Sequence, residues 1–283
     1  IWPKQIDPDK AFAERETLEK TVDRIDLALR AYPPQDIDEF IKIMTSGDIF
    51  GKNGEDAWFS RISYKNYTNG PEDHYAGMIV MEGIPVTGGI LDKNDKLGFL
   101  AIGLYEFKYI VLPEELVDAA KNQFPKYAHK IVSYSELNQQ LSNRIKPDIL
   151  RQLQPTVDKT RADQEIAQLA QTVNSLGLNL SLHGTDNIDD FVSIMYDGKL
   201  WHRMGGNYYG SLPGTPSYIR YIEHYAGAFV SVYTANDSKI PKITSLPDGS
   251  SERSIEDIDY ILLPQELAQA AREQFPQWAD KIK

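Results

Sequence analysis

The chain has no cysteine among its 283 residues. That excludes a disulfide framework, a thiolate zinc site and a cysteine nucleophile. No apolar run approaches the roughly 18 residues of a membrane span. GxGxxG, P-loop and HExxH motifs are all missing, and the five histidines are dispersed without metal-ligand spacing. Basic residues are outnumbered: 30 Lys and Arg against 41 Asp and Glu leave a net charge of −11. Nucleic acids and anionic membranes both demand a basic face, so neither is expected as a partner. The acidic charge is scattered rather than blocked, which suits solubility. The chain opens on Ile1, as a removed leader or a trimmed start would leave it, and nothing in it reads as a signal peptide.

What is present is a globular composition. Hydrophobic residues make up 41%, with 16 Tyr, 10 Phe and 4 Trp, and the length suffices for two domains with cores of their own. Self-similarity then sets the architecture. "YIVLPEELVDAAKNQFPKYAHKI" from Tyr109 returns 151 residues later as "YILLPQELAQAAREQFPQWADKI" from Tyr260, with 14 of 23 positions identical. "IDEFIKIMTSG" from Ile37 returns at the same spacing as "IDDFVSIMYDG" from Ile188, and "HYAG" at His74 returns at His224, one residue closer.

Each copy reads in one order. A helix with apolar residues at helical spacing is followed by an alternating strand, "DLALRAY" or "LNLSLH". Next comes a short helix opened by Asp or Asn and closed by Gly. Aromatic-rich strands follow, then a strand "KYIVLP" or "DYILLP" whose Pro begins a closing helix. The expected fold class is α+β: two tandem modules, residues 1–132 and 161–283, each a mostly antiparallel sheet with flanking helices. Residues 133–160, rich in helix formers and punctuated by Pro147 and Pro155, are expected to form a helical linker.

Features kept by both copies are read as scaffold: the LP-x-EL helix, HYAG with its local His74 and His224, and Phe124 and Phe275 as packing anchors before Pro. "DKNDKLG" at Asp92 lacks the final acidic ligand of a calcium loop and reads as a turn. "LPGTP" at Leu212 and "SLPDGSS" at Ser245 read as loops able to gate a site.

The copies differ at one telling place. The second ends its strand in His183-Gly184-Thr185, where the first has Tyr32-Pro33-Pro34. A strand-end imidazole beside a glycine can donate to a ligand that approaches the backbone closely; a plain turn histidine is the alternative. "LHGTDNIDDFVSIMYDGKL" resembles the opening motif of ADP-ribosyltransferases of the diphtheria-toxin and poly-ADP-ribose-polymerase type. The resemblance implies NAD as substrate, with His183 and Gly184, and Thr185 beside them, as its contacts. It further implies Tyr209 or Tyr208 of "GGNYYGS" as the ring stacked on nicotinamide, and Asp259, or Glu256 near it, in the place of the catalytic Glu. The first copy resembles the cholera- and pertussis-like branch, which would make Arg30 the NAD-phosphate contact and Ser60 the serine of the second motif. There the closing Glu-x-Glu is Glu106-Phe107-Lys108, so the last position is a cation.

That position decides the chemistry. Cleavage of the nicotinamide–ribose bond passes through an oxocarbenium-like state that needs a positioned carboxylate. Lys108 would repel it, and Asp259 is one methylene short, a misplacement on the order of 1 Å that can cost about 100-fold. Two functions are therefore expected: a transferase or NAD glycohydrolase working in the second copy, of the kind bacteria secrete or deliver into a host, or a non-catalytic module that binds a partner protein.

Overall fold

The computed structural model describes residues 6–27, 29–51, 56–62, 77–82, 90–91, 96–144, 148–185, 187–202, 225–234 and 243–283. His74, His224, Tyr208, Tyr209, the segment "LPGTP" and most of "DKNDKLG" lie outside them. The described residues are α+β, with eight α-helices and mostly antiparallel sheets. The chain divides into two compact units. Residues 1–146 with 247–249 form the first, and residues 147–246 with 250–283 the second.

The first unit is built on a seven-stranded sheet in the order β5-β6-β3-β1-β4-β8-β9. Its strands are β1 (Leu29–Tyr32), β3 (Ala57–Arg61), β4 (Met78–Glu82), β5 (Ile90–Leu91), β6 (Leu97–Phe99), β8 (Tyr109–Leu112) and β9 (Ile131–Ser133). All pairings are antiparallel except β8 with β9. The run "YIVL" of β8 is apolar throughout because both faces are covered. Tyr109 and Val111 join one apolar cluster, with Leu18 and Val22 of α1 (Pro8–Ile25) and Leu137 and Leu141 of α4 (Tyr134–Ser142). Ile110 and Leu112 join the other, with α2 (Ile37–Ser46), α3 (Glu114–Gln123) and a two-stranded ribbon, β2 (Asp48–Phe50) with β7 (Ala101–Gly103).

The second unit has a three-stranded sheet, β10 (Leu178–Gly184), β12 (Ala228–Thr234) and β15 (Tyr260–Leu262), with β12 central. A smaller sheet joins β11 (Lys199–His202), β14 (Ser251–Ser254) and β13 (Thr244–Ser245). Leu180, Leu182 and Val230 meet α6 (Lys159–Ser175) on one face. On the other, Phe229 and Ile261 meet α5 (Asp148–Leu153), α7 (Ile188–Asp197) and α8 (Gln265–Gln274).

The 151-residue spacing of the sequence also relates these elements. Helices α2 and α7 open alike, with Asp36 and Asn187 side chains accepting from Glu39 and Asp190 amides. Both close on glycine in the left-handed region, Gly47 at φ 82° and Gly198 at φ 67°, where a Cβ would be strained. The row Ile79, Ile110, Ile131 across β4, β8 and β9 has its counterpart in Phe229, Ile261, Ile282. Phe124 packs edge-on against Phe40, and Phe275 against Phe191, as expected of packing anchors.

The stretch expected as a linker, 133–160, does not stand apart. Ser133 caps α4 through a capping box with Glu136, and Tyr134, Leu137 and Leu141 are buried in the first unit. Leu150 and Val157 are buried in the second. An amphipathic helix with an unfilled sheet face beside it gains more from burial there than from solvation.

Candidate functional site

His183 is the sixth residue of β10, paired with Phe229 of β12, their rings 6.4 Å apart. Gly184 follows, opposite Ala228. Thr185 is 3% exposed, and both its amide and its hydroxyl donate to the carbonyl of Gly227 at 3.0 Å. Its amide and hydroxyl hold the start of β12.

Asp259 precedes β15 and its amide donates to Val230 O. By register it falls on the side of Ile261, Phe229 and His183, two strands and two residues from His183. Ideal sheet spacings make that roughly 12 Å between Cα atoms. The intervening face is filled: Phe229 and Ile261 are fully buried in the core. The Asp259 carboxylate turns into the ladder instead, accepting the Val232 amide at 2.7 Å where β15 has ended. Glu256 is exposed on the one-turn helix Ile255–Asp257, and its carbonyl accepts from Lys281 Nζ at 2.8 Å. The described residues therefore do not bring imidazole and carboxylate to a shared hollow. The buried side chains of Phe229 and Ile261 stand between them.

Register also separates the two candidates of the first unit. Arg30 pairs with Met81, which faces the α2–α3 core, whereas Ser60 pairs with Ala31, which faces α1 and α4. Alternation along strands thus sends Arg30, expected as the NAD-phosphate contact, and Ser60, expected as the serine of the second motif, to opposite faces of one sheet. Tyr32, the counterpart of His183, donates its hydroxyl to Glu39 Oε1 at 3.0 Å. Burial, aided by that carboxylate, raises the pKa of the phenol. Lys108, the counterpart of Asp259, forms an ion pair with Glu82 of β4, which Arg144 also approaches at 3.4 Å. A carboxylate is present near this position, but two cations engage it.

Among the described residues no group of three or more His, Asp or Glu could hold a metal, and no helix is long and apolar enough to cross a membrane.

No protein-family model, curated protein or solved structure matches this chain.

The feature that sequence reasoning missed lies in the first unit. A cavity of about 390 Å³ is lined by Asp48 of β2, Asp56, Leu100 and residues of β5, β6, β7 and the turn Leu104–Glu106. Around it four large apolar side chains are exposed: Phe50 (57%), Trp58 (39%), Ile90 (60%) and Leu100 (69%). Trp58 and Ile90 flank Gly98 across adjacent strands, where a Cβ would sit 2.9 Å from the Trp58 ring. Gly103 likewise makes room for the ring of Tyr105, 2.2 Å from where its Cβ would lie. The corresponding positions of the second unit differ in part, with Trp201 in the place of Phe50. Lys199 stands for Asp48 and Ser251 for Leu100, and Lys199 is ion-paired with Glu252 at 2.9 Å. The fold therefore does not require Asp48 or Leu100 at these two positions. The signal was in the alignment of the two copies, at positions outside any known motif.

Proposed function

We propose that this chain is a non-catalytic binding protein: a duplicated, ADP-ribosyltransferase-like scaffold that engages a partner protein through the apolar-rimmed cavity of its first unit. The observation that carries the reading is the exposure of Phe50, Trp58, Ile90 and Leu100 around one cavity, on a surface where the second unit has Lys199 for Asp48 and Ser251 for Leu100. Clustered exposed apolar side chains mark interaction sites, since scaffold alone gives no reason to leave them in water.

The absence of turnover is supported by the two positions that the resemblance assigns to the catalytic carboxylate. Lys108 carries the wrong charge and is paired with Glu82. Asp259 is short and already accepts a backbone amide. One observation favours the transferase reading instead: His183 and Gly184 close β10 where the resemblance puts the NAD contacts.

Nicotinamide release from NAD decides between the two. The wild-type chain is expected to release none above the buffer rate, and His183→Ala and Asp259→Ala to match it. Release that Asp259→Ala abolishes would overturn the non-catalytic reading and restore the transferase.

A further inference from the structure

Resting on the reading of the chain as a binding protein, we infer that the first-unit cavity takes a lysine or arginine side chain, presented by a partner segment with apolar residues on either side. Among the described residues, the cavity is lined by three carboxylates, those of Asp48, Asp56 and Glu106, and by no Lys, Arg or His. Its remaining walls are apolar or aromatic, with Ile90, Phe99, Leu100, Ile102 and the ring of Tyr105. Such a lining suits a long apolar stem ending in a cation. The stem packs on aliphatic wall, and the charged head meets carboxylate and ring face.

A volume of about 390 Å³ falls within the range of ligand-holding clefts. Outside it, exposed Phe50 and Trp58 offer apolar ground for the neighbours of the inserted residue. Charge complementarity selects the partner. An anion would meet three like charges, and a second copy of this chain, at −11, would meet net repulsion. Of the two cations, arginine fits the Tyr105 wall better, because its planar group both stacks on a ring and pairs with carboxylates.

The probe is the tripeptide acetyl-Leu-Arg-Leu-amide, with its citrulline counterpart as neutral isostere, titrated into the full chain and followed by backbone amide shifts. Binding of the arginine peptide is expected to shift the amides of Gly98 through Gly103 and Tyr105. Citrulline, and separately the Asp48→Asn/Asp56→Asn variant, is expected to weaken binding about tenfold. Equal binding of both peptides at these amides would refute the cation while leaving the binding surface standing. Shifts confined to other residues, or none, would refute both. Self-association that grows with concentration and is lost in Leu100→Ser would assign the surface to a second copy instead.

Discussion

The amide and the hydroxyl of Thr185 both donate to one oxygen, the carbonyl of Gly227, each at 3.0 Å. A residue that sequence resemblance places at a cofactor thus fastens the end of β10 to the start of β12. Thr185→Val keeps the shape and loses the hydroxyl bond, so it should lower unfolding stability by about 1 kcal/mol, while Thr185→Ser should restore most of it. Denaturant midpoints measure both. A Thr185→Val protein as stable as wild type would show that the hydroxyl is not a clamp.

Gly227 itself cannot take a side chain cheaply. Its φ is 127°, and an added Cβ would lie 2.7 Å from Phe191 and 2.9 Å from Leu263. Gly227→Ala is expected to destabilise the protein by about 2 kcal/mol, from backbone strain and crowding together. Gly177, at φ 62° with open space around it, provides the control: Gly177→Asn should be nearly neutral. Thermal melts of the two variants test the contrast.

Arg15 and Glu19 form a buried pair on α1 at 2.8 Å, each about 5% exposed. Burial raises the pKa of Glu19 against the opposing pull of Arg15. Removing one partner strands a charge, so Arg15→Met should cost about 3 kcal/mol, and Arg15→Met/Glu19→Met distinctly less. A double variant worse than the single would contradict the account of the pair.

Glu266 ties the start of α6 to α8. Its Oε1 accepts the Asp158 amide at 2.9 Å and meets Arg161 Nη2 at 2.6 Å. The amide bond, supported by Arg161, lowers the carboxyl pKa. A carboxylate depressed in the folded state contributes stability above its ordinary value near 4.5, and that contribution is lost as pH falls through the folded value. Glu266→Gln should therefore be less stable than wild type by about 1 kcal/mol at neutral pH. The gap should narrow on acidification below about pH 4.5. Midpoints at pH 7 and pH 3.5 give the comparison.

Much of this fold was legible in the sequence because local chemistry dictates it. Asp36 and Asn187 announce the starts of α2 and α7, and Gly47 and Gly198 their ends. The Leu-Pro step that closes each late strand fixes the start of a helix, at Pro113 and Pro264. What sequence could not supply was register. Whether Ser60 faces Arg30's side or the other depends on a single-residue offset between β1 and β3, set by long-range packing. Nor could sequence show that the Asp259 carboxylate accepts the Val232 amide, a contact made between two distant segments. The amphipathic pattern of α4 was visible, but not the face of the sheet that it covers. The cavity gathers residues from Asp48 to Glu106 on five separate segments, so no local motif could announce it.

The most direct test gives the first unit two polar residues of the second. Asp48→Lys/Leu100→Ser copies Lys199 and Ser251 onto the cavity. The variant's affinity for acetyl-Leu-Arg-Leu-amide is then measured by calorimetry, with a melt to check folding. Loss of binding at an unchanged melting temperature is the predicted result. Wild-type affinity in a folded Asp48→Lys/Leu100→Ser protein would contradict it, and would leave this face without a function.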